Sequence, residues 1–295
     1  MSTRQPYLTK PLTFSVVTPS YNQGAFLETT ILSVLSQDGP FYIDYIISDN
    51  QSTDNSLEII KKYDDLIKNR QYPIHCLSIT YRWWTKNSSQ TIAINKSFNM
   101  AQGSILAWIN SDDYYEPGTF QIIAKQFELH PEYDLIYGHC FALYQNDSHQ
   151  KLLKAEPGDY EKFLRRNHSV CQPAAFFTKK IFDQVGPIDD SLQYAFDYDL
   201  WLKILKVGRG LCIDKVLANF RIWPGSKTYR EQARFQADRQ KIFRSHGGNR
   251  IDPKTIYSFR QRLPFLPLLR RHTPRLYNYG KKVLYFFIDK IRYHI

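Results

Sequence analysis

The first 110 residues of the chain alternate between short apolar runs and helical stripes, and few folds accommodate that order. Phe14 to Thr18 (FSVVT) reads as a strand, and after the turn PSYNQG comes a stripe of Leu27, Ile31, Val34 and Leu35 at helical spacing. Tyr42 to Ile47 is a second, almost continuously apolar strand. Thr53 or Asp54 can then cap a helix that buries Leu57, Ile60, Tyr63 and Ile67. Ile74 to Ile79 predicts a third strand, followed by a polar, tryptophan-bearing loop, a helix from about Ser89 to Ala101, and a fourth strand, Ile105 to Ile109.

Apolar strands separated by helices mean a parallel sheet covered on both faces, because each crossover helix lies against the sheet. The expected fold class is α/β, a doubly wound and mostly parallel sheet with two functional halves. In such sheets ligands bind beyond the carboxyl ends of the strands. That rule selects three turns: Pro19 to Asn22 (PSYN), Ser48 to Asp54 (SDNQSTD) and Asn110 to Asp113 (NSDD). Asn, Asp and Ser favour any turn, but three strand ends that all deliver polar, acid-bearing turns to one edge point to a site. The second half is less regular. It predicts a helix after Glu116-Pro117-Gly118 to about His130, a strand over 134–144, a short helix over 158–166 and a strand over 173–178. A helix over 197–207, a strand over 211–223 and a polar helix over 228–245 follow.

The net charge of +11 is unevenly placed. Residues 260–295 hold nine Lys and Arg and one acid, so most of the excess belongs to a tail that begins near residue 250. Nucleic-acid enzymes spread positive charge along a groove of the main domain and carry recognisable motifs. Neither is seen, so no nucleic acid is expected as a partner. The expected division is a domain over 1–250, with a first half at 12–113 and a second at 114–250, and a basic helical tail over 251–295. No 18-residue apolar run exists, and no apolar core precedes the first strand, so neither a spanning helix nor a secretory peptide is expected. The four cysteines, Cys76, Cys140, Cys171 and Cys212, form no CxxC pair and are expected to be buried, reduced thiols, which suits a reducing cytoplasm. No GxGxxG turn follows the first strand, which excludes a nucleotide-linked dehydrogenase. PSYNQG is also not the Gly-rich, Arg-containing loop a sugar nucleotidyltransferase would need.

Four segments in order resemble glycosyltransferase family 2. SVVTPSYNQGAFLETTILSVLSQ is similar to the family's first strand and helix, and IISDNQSTDNSLEII to its second strand. QTIAINKSFNMAQGSILAWINSDDYYEPGTF is very close to the family's GQxDAINKGF…WLNSDD pattern, and VGPIDDSLQYAFDYDLWLKI resembles the late segment that carries a base. The resemblance covers residues 12 to about 228 and implies a GT-A fold with a nucleotide-sugar-binding half and an acceptor half. It also implies an inverting, metal-dependent transfer of a sugar from a nucleotide diphosphate donor to a hydroxyl.

By that pattern Asp113 contacts a Mn2+ or Mg2+ ion, and Asp112 bonds the ribose or shares the metal, since hard oxygen ligands suit a cation that neutralises a departing diphosphate. Tyr21 can stack on the base, Asp49 can accept from a pyrimidine ring N–H, and Pro19 lines the same turn, which favours a UDP-sugar. Gln90 and Asn95 hold the donor or shape its loop. Arg221, Ser226 and Lys227 can meet the diphosphate. Asp197 is the base, since one carboxylate suffices for inversion, and Asp199 caps or braces its helix.

The sequence departs from the pattern at Phe196, where a Glu is usual, and at Trp223, where a His is usual. Ile92 also replaces an acid. A catalytically inactive, nucleotide-sugar-binding scaffold is therefore the rival reading. The expected acceptor is a glycan or lipid-linked hydroxyl in surface polysaccharide or glycolipid synthesis. In the tail Leu284, Phe287, Ile288 and Ile291 form a helical stripe among basic residues. Such a segment suits an anionic membrane surface, so the protein is expected in the cytoplasm or peripheral on the inner face of its membrane. The other use for that stripe is packing on the domain or across a homodimer.

Overall fold

The structure, a computed structural model, describes residues 11–86, 88–144, 147–165 and 170–248. The tail over 251–295 and its expected helix lie outside the described residues. The chain order is β1 (Thr13–Ser20), α1 (Gly24–Leu35), β2 (Gly39–Asp49), α2 (Ser56–Lys68), β3 (Cys76–Thr85), α3 (Gln90–Met100) and β4 (Ile105–Trp108). Then come β5 (Tyr114–Tyr115), α4 (Thr119–Leu129), β6 (Leu135–Tyr144), β7 (His149–Leu153), α5 (Tyr160–Arg165), β8 (Ala175–Thr178) and α6 (Lys179–Val185). The described chain closes with α7 (Phe196–Val207), β9 (Gly210–Arg221), α8 (Lys227–Arg230) and α9 (Gln232–Ser245).

All strands join one sheet in the order β3-β2-β1-β4-β8-β6-β9-β5, with β7 paired to β6. The first four are parallel neighbours, and β8 runs antiparallel to both β4 and β6. Winding reverses between β1 and β4, which opens a crevice at their carboxyl ends. Pro19 pairs with Ser48 and Ser20 with Asp49, while Val17 pairs with Trp108, so all three selected turns leave the sheet at one level. After the NSDD turn, β5 pairs antiparallel with β9 through Tyr114 and Asn219. The turn is thereby held at the centre of the sheet by β4 and at its far edge by β5, paired to β9.

The core lies on both faces of the sheet. Val16 and Val17, Ile47 and Ile46, and Phe176 and Phe177 enter opposite clusters, as a period of two requires. Because both faces are covered, these strands read as unbroken apolar runs. On the site-bearing face Trp108 stacks on Trp201 of α7, with centroids 5.5 Å apart.

Four expectations change. The tryptophan-bearing loop after Ile79 is the second half of β3, paired with β2 as far as Thr85. Its polar look arises because it is an edge strand whose side chains serve two layers: Trp83 donates to Asp64 of α2, while Arg82 bonds Asp44 and Trp84 donates to Ser97 of α3. Helix α2 starts after Asn55 with no side-chain cap. Asp54 instead accepts from the backbone N–H of Ser56 and of Gly24, tying two turns together. The polar helix expected over 228–245 is broken at Glu231, whose φ of −116° and ψ of 32° are not helical. Of the four free cysteines only Cys140 is buried; the other three are half-buried. Among the described residues no helix is long and apolar enough to cross a membrane.

Candidate active site

The three turns interlock. Asn22 accepts from the backbone N–H of Thr53 and its own N–H donates to Ser52, which joins the first turn to the second. Ser111 of the third turn hydrogen-bonds Gln23 of the first. They frame one wall of a cavity of about 1210 Å³, whose opposite wall comes from the second half of the chain.

Pro19, Tyr21, Gln90, Asp112, Lys227 and Asp197 all reach that cavity. Tyr21 is 57% exposed, so its ring is open to a stacking partner. Gln90 joins two elements, donating to Asn110 at 2.9 Å and accepting from the Lys227 ammonium at 2.8 Å. Lys227 is exposed as a residue, yet protein atoms crowd its ammonium. That desolvation lowers its pKa against the opposing pull of Asp112. Asp112 is 8% exposed. Burial raises its pKa, against a 2.9 Å hydrogen bond from the Trp223 indole N–H. Trp223 packs on Phe26 at 5.0 Å, and a side chain at Gly225 would strike its ring, so the indole is fixed in place.

Four other expected site residues are used differently. Asp113 is fully buried and is not on the wall; it accepts from the backbone N–H of Arg221 at 2.9 Å and from Asn110 at 3.3 Å. Burial and then the Asp112 charge raise its pKa well above the usual carboxylate range. Asp49 is 1% exposed and its carboxylate is taken by the N–H and hydroxyl of Ser52, so the next residue, Asn50, reaches the wall in its place. Asn95 lies beneath the wall and braces the loop before α7 through Ile188 and Asp190. Arg221 reaches the wall, but its guanidinium is held by Asp147 and the Asp112 carbonyl, between the rings of Phe26 and Tyr114. Of the basic pair, Lys227 is therefore the one whose charge faces the cavity.

Asp197 is half-buried in the first turn of α7, where the helix N-terminus favours a carboxylate. Ala195 before it has a φ of 52°, a left-handed conformation unusual for a residue with a side chain. That backbone is held by its neighbours: Phe196 packs on Trp108 with centroids 6.3 Å apart. The aromatic ring thus anchors the start of α7 by packing. Asp199 is buried and braces α7, bonded to Lys203 at 2.7 Å and to His246 at 3.1 Å. Burial pushes its pKa up, but those two partners outweigh it and the net shift is downward.

Gln172 carried no sequence signal, and Asn110 was marked only as the first residue of the NSDD turn. Gln172 accepts from Asn110 and donates to the Trp108 carbonyl, linking the end of β4 to the second half. Asn110 is the hub, since its amide donates to Asp113 and Gln172 and accepts from Gln90. A carboxylate there could not donate, and it would face the Asp113 carboxylate. Asn110→Asp is expected to lower stability at neutral pH by about 1–3 kcal/mol. Because the Asp113 pKa is already raised, the cost should shrink as falling pH protonates the pair, a trend that melting curves at two pH values would read.

The profile of glycosyl transferase family 2 matches residues 15–186. A putative teichuronic acid biosynthesis glycosyltransferase of Bacillus subtilis, TuaG, is 28% identical over 219 residues, covering 72% of this chain and 80% of that protein. The chondroitin synthase of Pasteurella multocida is 24% identical over 72% of this chain but only 21% of its own length. Among solved structures, S. aureus TarS 1-349 in complex with UDP-GlcNAc aligns with a TM-score of 0.61 at 17% identity, over 83% of this chain and 69% of that one. A mannosyltransferase of Pyrobaculum calidifontis in complex with GDP-Man and Mn2+ aligns with a TM-score of 0.58 at 14% identity, over 85% and 70%. Those likenesses carry the fold, which is the GT-A arrangement. With the profile spanning more than half of the sequence, the chain belongs to glycosyl transferase family 2.

Proposed function

We propose that this protein transfers a sugar, with inversion, from a nucleoside diphosphate donor to a hydroxyl of a glycan or lipid-linked acceptor in surface polysaccharide or glycolipid synthesis. The observation that carries the reading is that Asp112 and Asp197, from opposite halves of the chain, reach the wall of one cavity. In this reading Tyr21 stacks on the base and the Asn50 amide, whose oxygen already accepts from the Ser88 N–H, donates to a ring carbonyl such as uracil offers, so a UDP-sugar is favoured. Gln90 orients Lys227 toward the diphosphate.

A Mn2+ or Mg2+ ion fits the site in one way. Among the described residues no three His, Cys, Asp or Glu side chains gather into a cluster. Such ions are commonly held by one or two carboxylates and the substrate phosphates, with water completing the shell. Asp112 is the acid of the turn that reaches the wall, so it replaces Asp113 as the proposed metal contact. When bound, the ion neutralises charge on the leaving diphosphate. Asp197 takes the proton of the acceptor hydroxyl as its oxygen bonds to the anomeric carbon, and the bond from that carbon to the phosphate oxygen breaks.

A panel of nucleoside diphosphates and their sugars, with and without Mn2+, tests the donor by thermal shift. UDP should raise the melting temperature most, and the raise should need the metal. Binding without turnover for any acceptor would favour the inactive scaffold. The tail over 260–295 is proposed to hold the enzyme at an anionic membrane surface, each basic residue contributing roughly 1 kcal/mol before screening. Full-length protein should sediment with anionic vesicles at low salt and be released at high salt. A version ending near residue 258 that partitions in the same way would overturn this.

A further inference from the structure

Trp223 stands behind the cavity wall, yet its side chain holds the acid that faces the donor side. The indole N–H donates to Asp112 Oδ2 at 2.9 Å, and the Gln23 amide donates to the same carboxylate. The Gln23 oxygen is engaged by the Ser111 hydroxyl, which leaves its amide nitrogen for Asp112. Both donors are neutral, so they fix the direction of the carboxylate without cancelling its charge. The indole is the stiffer of the two. It packs on Phe26 at 5.0 Å, and only a glycine fits beside it at 225, since a Cβ there would strike the ring. An indole has one N–H and no acceptor, so it cannot itself ligate a cation.

The backbone of Trp223 serves a second charged group. Its carbonyl accepts from the N–H and from the hydroxyl of Ser226, both at 2.9 Å. That closes a turn with Pro224 and Gly225 at its centre, a place that proline's fixed φ suits. Lys227 follows directly, and its ammonium meets Gln90 at 2.8 Å. The indole of one residue thus sets Asp112, and the turn that the same residue opens sets Lys227. Both reach the donor side of the cavity.

We propose that Trp223 is the positioning residue of the donor site: its indole N–H orders the Asp112 carboxylate before the metal and nucleotide arrive, and its turn sets Lys227 opposite that acid, so that the two receive the diphosphate together. The proposal rests on the transferase reading above and on Asp112 as the metal contact. A carboxylate that holds a cation is itself oriented by hydrogen bonds, and losing such a partner commonly weakens the metal by about 10- to 100-fold. The indole is suited to that task because packing locks its ring, so the acid is ordered by a group that cannot swing away.

The test titrates full-length protein calorimetrically with UDP, in Mn2+ and in chelator, as wild type, Trp223→Phe, Asp112→Asn and the double variant. Trp223→Phe keeps a ring against Phe26 and the turn to Lys227, and removes the N–H. Its UDP affinity should fall about tenfold or more in Mn2+ and stay within about twofold of the wild type in chelator. In the Asp112→Asn background the same change should add no further loss, because the indole acts through that carboxylate. An equal loss in both media, or the full loss repeated without the carboxylate, would make Trp223 merely structural and overturn the proposal. So would an unchanged or tighter affinity in Mn2+. Should Trp223→Phe not fold, Gly225→Ala decides. It retains the indole but drives it off Asp112, and it should give the same selective loss; wild-type affinity in Mn2+ overturns the proposal. A wild type that binds UDP equally in Mn2+ and in chelator, or one unmoved by Asp112→Asn, would instead overturn the metal reading, and this proposal with it.

Discussion

Asp112→Asn is expected to lower metal-dependent affinity for UDP by on the order of 10²-fold while leaving the metal-free protein at least as stable as the wild type. The two effects have opposite signs for one reason. Burial raises the Asp112 pKa, so the free protein gains by losing that charge, whereas a cation at the wall needs it. Asp113→Asn should behave differently. Its carboxylate is buried and accepts from Arg221 and Asn110, and the amide can keep only one of those bonds in its present form. The expected result is a lower melting temperature with a smaller change in UDP affinity. Calorimetric titration of both variants with UDP, in Mn2+ and in chelator, separates them. A larger loss of metal-dependent binding from Asp113→Asn than from Asp112→Asn would return the metal contact to Asp113.

That exchange of roles shows where sequence reasoning stops. The parallel half of the sheet was legible because strands covered on both faces are runs such as FSVVT and ILAWI, and because the crevice rule then names the turns. Within a turn no period fixes where a side chain points. Asp112 and Asp113, or Asp49 and Asn50, are neighbours whose directions depend on backbone angles that the sequence does not display. The cavity receives Asp112, which the pattern gave the ribose or a share of the metal, and not Asp113, and it receives Asn50 and not Asp49. Arg221 and Lys227 pose the same problem at longer range, since only the contact with Asp147 reveals that the arginine is already engaged. The strand over Trp83 and Trp84 was hidden because an edge strand that serves two helical layers has no apolar run. Gln232, Phe235, Gln236 and Arg239 of α9 also line the cavity, and in sequence such a set resembles an ordinary solvated helix face.

Asp197→Asn is expected to reduce turnover by on the order of 10²-fold or more and leave UDP affinity within about twofold of the wild type. The separation follows from position: Asp197 stands on the wall of the second half, while Tyr21, Asn50, Gln90, Asp112 and Lys227 line the donor side. The substitution is nearly isosteric, and other contacts hold the helix in place. Trp108 packs against Phe196 and Trp201, and Asp199 is tied to Lys203 and His246. Single-turnover kinetics with saturating donor reads the chemical step directly, and NMR of the product reads whether the anomeric configuration has inverted. Wild-type turnover in Asp197→Asn would place the base elsewhere, but Asp199 is a poor successor. It is buried, and its depressed pKa reflects its hydrogen bonds to His246 and Lys203, which hold it away from an acceptor proton. Asp199→Asn should instead remove the counter-charge of Lys203 and lower the melting temperature at neutral pH. That difference should fade on acidification, as the wild-type carboxylate itself takes up a proton. A carboxylate that braces is thus separable by pH from one that accepts a proton, although the two lie two residues apart on the same turn of α7.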